Sequence, residues 1–566
     1  MGSFLRVLLM GGVLGVCSLQ PAAASACGGF FCNTAQPVNQ AAEGIIFADN
    51  GDGTTTAVIQ IQYQGPAQKF SWLLPISSVP KSDADIGIAS NVALQRLQAA
   101  TNPSYQLNLE VEGNCHDDGG SGPGCGASSE NDSATFAPPR GSIDDNHGVT
   151  VEASGVVGAF EWSVISLDKT LTNPADAAVQ WLKANGYDVP GSAPQLLGPY
   201  LEQGLFLLAL RLTKGADVGS IRPIVLTYAG QQPSIPVKLT AVAANEDMGI
   251  LTWVLGKSRA VPENYLSLEL DEARINWFNA SSNYNSVVTE AANDASGQGF
   301  VTEFAGKTQM LASQIWTLAD EAGWQRLQAS IGQSSMNLFT QAYGQFGQWD
   351  GFWDAARPLV VVADGGTFDD LQRCPTCFAV QFSSTAFLAA LEKSVVRPMK
   401  LVQRLVDAHP EITRLYTTLS PSEMTLDPLF TFNAELPDLS NQHTATRVIE
   451  CNPNVTQSDA PWRIELPQGG LVRGSGSDAN SGTWPAALAS LPPNRTIVRT
   501  GKTGMGKLIE DNSDAIGAQL DTYNGGLDTS VDSSGGCAAS RGGRPSGAVL
   551  AALVLGAAVL RRRRRG

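Results

Sequence analysis

The sequence predicts an α+β protein: β-rich mixed sheets with a helical insert and disulfide-stapled loops, set between terminal signals for export and sorting. Three observations predict it. Short runs of alternating apolar residues, such as Thr54 to Tyr63, recur between turn residues, which is the period of half-buried strands. One stretch, about 285–351, is instead rich in Ala, Gln and Trp at helical spacing broken by glycines. Only 16% of residues are charged and 58 are glycine, the composition of loop-rich exported β proteins.

Residues 1–26 have the form of a secretory signal peptide, with Arg6 as the charged start, Val7 to Leu19 as the apolar run and Ala24-Ser25-Ala26 as the cleavage site. Cleavage there makes Cys27 the first mature residue. Lipidation of Cys27 is the minor alternative, because Ala24 stands where a lipobox prefers Leu.

Ile45 to Ala48, the turn Asp49-Asn50-Gly51-Asp52-Gly53 and Thr54 to Tyr63 form a β-hairpin. Phe70 to Ile76 is a third strand, Ala84 to Ala100 a helix on that sheet, and Tyr105 to Val111 another strand. Glu112 to Gly148, dominated by Gly, Ser, Asp and Pro, is a long exposed loop. Strands return over Val149 to Leu167. Pro174 to Asn185 is an amphipathic helix capped by Asn173, and Pro199 to Leu210 runs from helix into strand. Arg222 to Tyr228, Ser234 to Val242 and Gly249 to Leu255 are strands of a second sheet. Phe387 to Ala408 is a helix ended by His409-Pro410, and Trp462 to Val472 and Thr496 to Arg499 are late strands.

The organisation that follows is a signal peptide (1–26), a main region (27–451) with the helical insert, a β-rich extension (452–520), an acidic Gly/Ser linker (521–536) and a tail (537–566). The tail places Cys537 before the uncharged run Gly547 to Leu560 and then Arg561, Arg562, Arg563, Arg564 and Arg565. As a helix the run rises about 21 Å, short of the roughly 30 Å hydrocarbon core, so it suits a transient anchor; a permanent single-pass transmembrane helix is the alternative. The arginines should remain cytoplasmic, leaving everything before them outside the cell.

A net charge of −16 argues against nucleic acid or an anionic membrane surface as partner, since both need clustered cations. Outside the signal and tail the cysteines are Cys27, Cys32, Cys115, Cys125, Cys374, Cys377 and Cys451. In an oxidising compartment they are disulfide candidates, with Cys115 to Cys125 and Cys374 to Cys377 the expected local pairs. If Cys27 is lipidated, Cys32 can join Cys451; otherwise Cys27 can clip to Cys32 and Cys451 is left over.

No catalytic residue, metal site or cofactor is nominated. Cys374-Pro375-Thr376-Cys377 has redox CxxC spacing, but strands are expected on both sides, which favours a structural disulfide. Gly501 to Lys507 matches a phosphate loop up to its lysine, yet Leu508 stands where Ser or Thr must hold magnesium, and a glycine-rich surface turn is the better reading. His116, His147, His409 and His443 are widely separated, with His443 read as solvent-exposed, and no GxSxG elbow marks a nucleophile. Asp49, Asn50, Asp52, Asp117 and Asp118 offer oxygen ligands on loops without EF-hand spacing. Phe346, Trp349, Phe352 and Trp353 are the core of the helical insert or, if exposed, a stacking platform.

Three stretches together resemble the bacterial family named Domain of Unknown Function 2330: Cys27-Gly28-Gly29-Phe30-Phe31-Cys32 with Glu43-Gly44-Ile45-Ile46-Phe47, then Phe70-Ser71-Trp72-Leu73-Leu74-Pro75-Ile76, then Thr413 to Thr418 through Met424-Thr425-Leu426-Asp427-Pro428. The resemblance covers Ala26 to Cys451 and implies no activity. The order Cys, spacer, apolar helix and arginine cluster resembles the bacterial sorting tails called MYXO-CTERM, which implies cutting near Cys537 by a sorting protease after export. The expected function is therefore a surface-anchored envelope protein, non-enzymatic, serving binding, adhesion or envelope organisation. A secreted hydrolase or thiol oxidoreductase is the rival reading.

Overall fold

The computed structural model describes residues 39–64, 70–82, 85–116, 148–168, 170–213, 221–230, 232–363 and 365–527. The signal peptide, Cys27, Cys32, Asp117, Asp118, Cys125, His147, residues 528–536 of the linker and the whole tail with Cys537 and Arg561 to Arg565 lie outside them.

A ten-stranded mixed sheet organises the molecule. Its order is Lys507–Asp511, Asn494–Arg499, Leu266–Leu270, Gly299–Lys307, Glu411–Leu419, Ala244–Gly256, Asn39–Asp49, Thr54–Gln64, Ile224–Ala229 and Ile86–Ile88. The expected hairpin is there, with Asp49 opposite Thr55 across the Asn50 to Gly53 turn. Asn39–Asp49 also runs parallel to Ala244–Gly256, so the hairpin is buried at mid-sheet.

Alternation along these strands divides the core. Ile46, Ala48, Val58, Trp253 and Leu255 face a layer of helices made by Asn91–Thr101 and by the series from Ala312–Ile315 to Arg397–Ala408. On the opposite face, Ile45, Phe47, Ile59 and Ile250 meet a four-stranded antiparallel sheet, Ser71–Ile76, Phe206–Leu212, Phe160–Leu167 and Val149–Val157, through Trp72, Leu74, Phe160 and Leu208. The helices Pro174–Ala184 and Ala193–Glu202 cover the outer face of that sheet. A second four-stranded sheet, Leu471–Gly474, Trp462–Glu465, Gln442–Glu450 and Ser104–Glu112, packs near the Lys507–Asp511 end of the large one, with Trp462 and Ile464 buried among Leu268, Val301 and Ile497.

Several local expectations are corrected. Within 285–351, Gly299–Lys307 is a strand of the large sheet, and the helices resume at Ala312 and continue to Ala408. Phe300, Val301, Thr302 and Phe304 are β-formers, and burial between two strands settles the conformation. Ser234 to Val242 is no strand: Pro233 and Pro236 remove ladder donors, and Val237–Thr240 forms one helical turn whose Lys238 N–H donates to Asp427 Oδ1 at 3.1 Å. The acidic linker is helical at its start, because Ser513–Gly526 buries Ile516 and Leu520.

Glu43 carries an acidic group into this core. It stands two residues before Ile45 on the same face, its Oε2 has no hydrogen-bond partner, and burial raises its pKa from 4.5 to about 7. The folded state therefore keeps a proton that the unfolded chain releases near 4.5. The contribution of this group to stability is full below that value and is lost as pH rises to 7, by about 3 kcal/mol. Urea unfolding at about pH 5 and about pH 8 should show a pH-dependent loss that is smaller by about 2–3 kcal/mol in Glu43→Gln. Equal losses in the two proteins would remove Glu43 from this role.

Candidate functional site: an acidic cleft between two sheets

A cavity of about 560 Å³ opens between the ends of two sheets. One wall comes from Leu266–Leu270, Gly299–Lys307 and Asn494–Arg499 of the large sheet, and the other from the start of Ser104–Glu112 and Gln442–Glu450. Most of the lining is apolar, through residues such as Leu268, Leu270, Val301, Leu436 and Val498. Polar side chains are placed around it, among them Arg259, Glu269, Glu272, Glu303, Gln442 and His443, and apolar surface with placed polar groups is the make-up of a small-molecule site.

The second wall is a parallel strand pair, in which Tyr105 stands opposite His443 and Glu112 opposite Glu450. Cross-strand neighbours on one face touch. The two rings stack at 4.6 Å and 13°, and Trp277 packs edge-on against Tyr105 at 5.1 Å. His443 Nδ1 lies 2.6 Å from Glu272 Oε1. This contact directs Nδ1 to the carboxylate and leaves Nε2 as the ring nitrogen available to a ligand.

Glu272 is itself well placed. It follows the strand Leu266–Leu270 in a short 3-10 turn whose N-cap, Asp271, accepts from the Ala273 N–H at 2.9 Å. The Glu272 N–H donates to Gln468 Oε1, and Trp277 Nε1 donates to the Glu272 carbonyl. The Glu272 side chain is 5% exposed, and its Oε2 has no hydrogen-bond partner.

The floor holds a buried ion pair. Arg414 Nε donates to Glu303 Oε2 at 2.5 Å, with side chains 5% and 1% exposed. A β-bulge makes the meeting possible: Thr302 pairs with Leu415 and Phe304 with Arg414, so Glu303 is the extra residue. Phe300 and Phe304 consequently pack on opposite faces of the sheet although they are four residues apart. Glu303 Oε1 also accepts from the Tyr284 hydroxyl at 2.5 Å. Burial, with the charges of Glu272 and Glu303 acting on Tyr105 and that of Glu303 on Tyr284, holds both phenols well above the usual tyrosine range.

The cysteine expectations divide. Cys374 and Cys377 are joined. Cys115 pairs with Cys451, not with Cys125, which corrects the local pairing and the proposed roles of Cys451 as partner of Cys32 or as the residue left over. The parallel strand pair is the reason, because it delivers both cysteines to one end at a Cα separation of 4.7 Å. Gly113 has a positive φ there, and a Cβ would meet the Cys451 carbonyl oxygen at 2.3 Å. Cys374 caps the C-terminus of the short helix Phe368–Arg373, the end that disfavours a thiolate.

The other singled-out residues have structural work. Asp49 and Asp52 accept turn hydrogen bonds from Gly51 and Thr54. His409 is buried, with its ring nitrogens 2.7 and 2.9 Å from the Leu405 and Asp49 carbonyls. Phe346 and Phe352 are fully buried in the helical layer, with Trp349 and Trp353 packed against them. Gly501 to Gly506 lie in the loop between two antiparallel strands, Lys507 begins the second of them, and Met505 reaches the cleft. His443 is 25% exposed and partnered, not a free surface side chain. Sequence reasoning missed Glu272, Tyr284, Glu303 and Arg414; the available signal was a charged residue inside an otherwise apolar strand run, as at Thr413-Arg414-Leu415 and Thr302-Glu303-Phe304.

A family profile described as "Uncharacterized protein conserved in bacteria (DUF2330)" matches residues 21–330, more than half of the chain. That span carries Tyr105, Glu272, Tyr284 and Glu303 but stops before Arg414, His443 and Cys451. No curated protein and no solved structure matches.

Removing one partner of a buried ion pair strands the other charge. Glu303→Gln is therefore expected to cost about 3–5 kcal/mol of unfolding free energy, whereas Glu303→Leu combined with Arg414→Met should cost less than the single change. Chemical denaturation of the two variants checks the order, and the reverse order would contradict it.

Proposed function

This chain belongs to the uncharacterized bacterial family DUF2330, and on that premise we propose that it is an exported envelope protein whose folded body binds a small amphipathic molecule in the cleft. The observation that carries the proposal is the cavity itself: about 560 Å³, mainly apolar in surface, with the Glu272–His443 pair among the polar groups that line it. A binding role is favoured over catalysis because, among the described residues, no hydroxyl or thiol hydrogen-bonds His443 to serve as its nucleophile. The Glu272–His443 pair does favour a hydrolase as the second reading, since a carboxylate on Nδ1 orients Nε2 as a base. The disulfide at a helix C-terminus gives the thiol oxidoreductase no support.

Export and anchoring rest on the two ends of the sequence. Among the described residues no helix is long and apolar enough to cross a membrane, and Gly547 to Leu560 lies outside them. The proposal keeps the tail as a sorting signal, cut near Cys537, with Arg561 to Arg565 retained inside during export.

Val498→Trp, which fills the cleft from the large-sheet wall, should abolish binding of fragment-sized molecules seen by ligand-observed NMR while leaving the melting temperature within a few degrees. Undiminished binding in the variant would place the ligand elsewhere. For the tail, Cys537→Ala should accumulate an unprocessed precursor, and the intact mass of surface-extracted wild-type protein should lack Gly547 to Leu560. Finding that run on every molecule would sink the sorting model.

A further inference from the structure

We propose that the cleft selects a cation: its ligand carries a protonated amine or amidinium on an apolar body, and Glu272 is the anion that receives it. The inference deepens the binding reading above and rests on it. Glu272 is a carboxylate more than nine-tenths buried, lining the cavity, with one oxygen on His443 and the other without a partner. Such an oxygen is costly to leave unsatisfied, and a charged donor is the partner that offsets the cost best.

The surrounding charges point the same way. Glu269, Glu272 and Glu303 line the cavity, against Arg259 as the guanidinium there. Glu303 is neutralised by Arg414, and Glu269 lies 3.9 Å from Arg495 at a half-exposed position. Arg259 donates Nη1 to the Pro437 carbonyl at 3.0 Å and has Asp438 nearby as a counter-charge, while its Nε has no partner. Of the three carboxylates, Glu272 is the one with no arginine within ion-pair distance among the described residues. A carboxylate ligand would meet the charge of Glu272 unfavourably, while an ammonium would pair with it. The same carboxylates act on the neighbouring phenols: after burial, Glu272 and Glu303 push the Tyr105 hydroxyl up, and Glu303 does so for Tyr284. Leu268, Leu270, Val301 and Val498 supply apolar surface for the body of the ligand, beside the hydroxyls of Thr302, Thr496 and Thr500.

Three probes of similar size and different charge test this: benzylamine, benzyl alcohol and benzoate, titrated into the mature protein by isothermal calorimetry. Benzylamine should bind more tightly than benzoate by about tenfold or more, with the alcohol between them. Glu272→Gln should cut benzylamine affinity by a similar factor and leave benzyl alcohol unchanged. If that variant folds poorly, the wild-type salt dependence decides in its place, since added salt must weaken the amine and not the alcohol. Benzoate binding as well as the amine, an amine indifferent to Glu272→Gln, or an amine as insensitive to salt as the alcohol overturns the inference and leaves the binding reading standing. No binding by any of the three overturns both.

Discussion

The contact between Arg414 and Glu303 is the constraint around which the other features are arranged. Two charges at the centre of a ten-stranded sheet are tolerated because each is satisfied several times over. Arg414 reaches Glu303 with Nε, and with Nη1 the Gln98 carbonyl and Thr101 Oγ1 in the last turn of the helix Asn91–Thr101. A cation at a helix C-terminus is favourable in itself. Thr101 also accepts from Trp253 Nε1 at 3.0 Å, and the guanidinium lies 5.7 Å from that ring. One side chain thus fixes a helix, two strands and the largest buried aromatic of the sheet. Glu303 extends the same network to Tyr284 and so to the cleft floor. An apolar pair of equal volume could match the stability, but it could not specify the bulge that puts Glu303 on this face.

The second organising element is the parallel pair Ser104–Glu112 and Gln442–Glu450. Its members are separated by more than three hundred residues, so chain entropy opposes their meeting strongly. The Cys115–Cys451 bond closes a loop with a sequence separation of 336 at one end of the pair. In a chain-entropy account such a closure is worth on the order of 5 kcal/mol. At the other end sits the Tyr105–His443 stack. The disulfide therefore supports the site from the far end of the two strands that carry it, and a fold with such long-range pairings is expected to form slowly.

What was legible in the sequence was local. The hairpin around Asp49 to Gly53, the strand Ser71–Ile76, the helix Pro174–Ala184 and the Cys374–Cys377 bond depend on residues close in the chain, where periodicity, turn chemistry and spacing act directly. The cleft was not legible, because it is made of register. Nothing near His443 announces Tyr105, and nothing near Cys115 announces Cys451; the parallel pairing supplies both at once. The strand Gly299–Lys307 was hidden among helices for the same reason, since only its two neighbouring strands fix its conformation. The stretch Thr413 to Thr418 could be recognised as a pattern, but the role of Arg414 in it requires the bulge on the adjacent strand.

The helix Ser513–Gly526 is where the described body ends, and its attachment has a mechanical meaning. Tyr523 donates its hydroxyl to the Arg473 carbonyl, and Asn524 both donates to the Leu471 carbonyl and accepts from the Arg473 N–H. The helix is thereby moored to Leu471–Gly474, the edge strand of the smaller sheet farthest from Ser104–Glu112. A pull at Leu527 loads this helix, that edge and, through Asn512, which donates to the Arg495 carbonyl, the outer strands of the large sheet. Within the smaller sheet, such a load must pass Leu471–Gly474 and Trp462–Glu465 before it reaches the strand that carries His443.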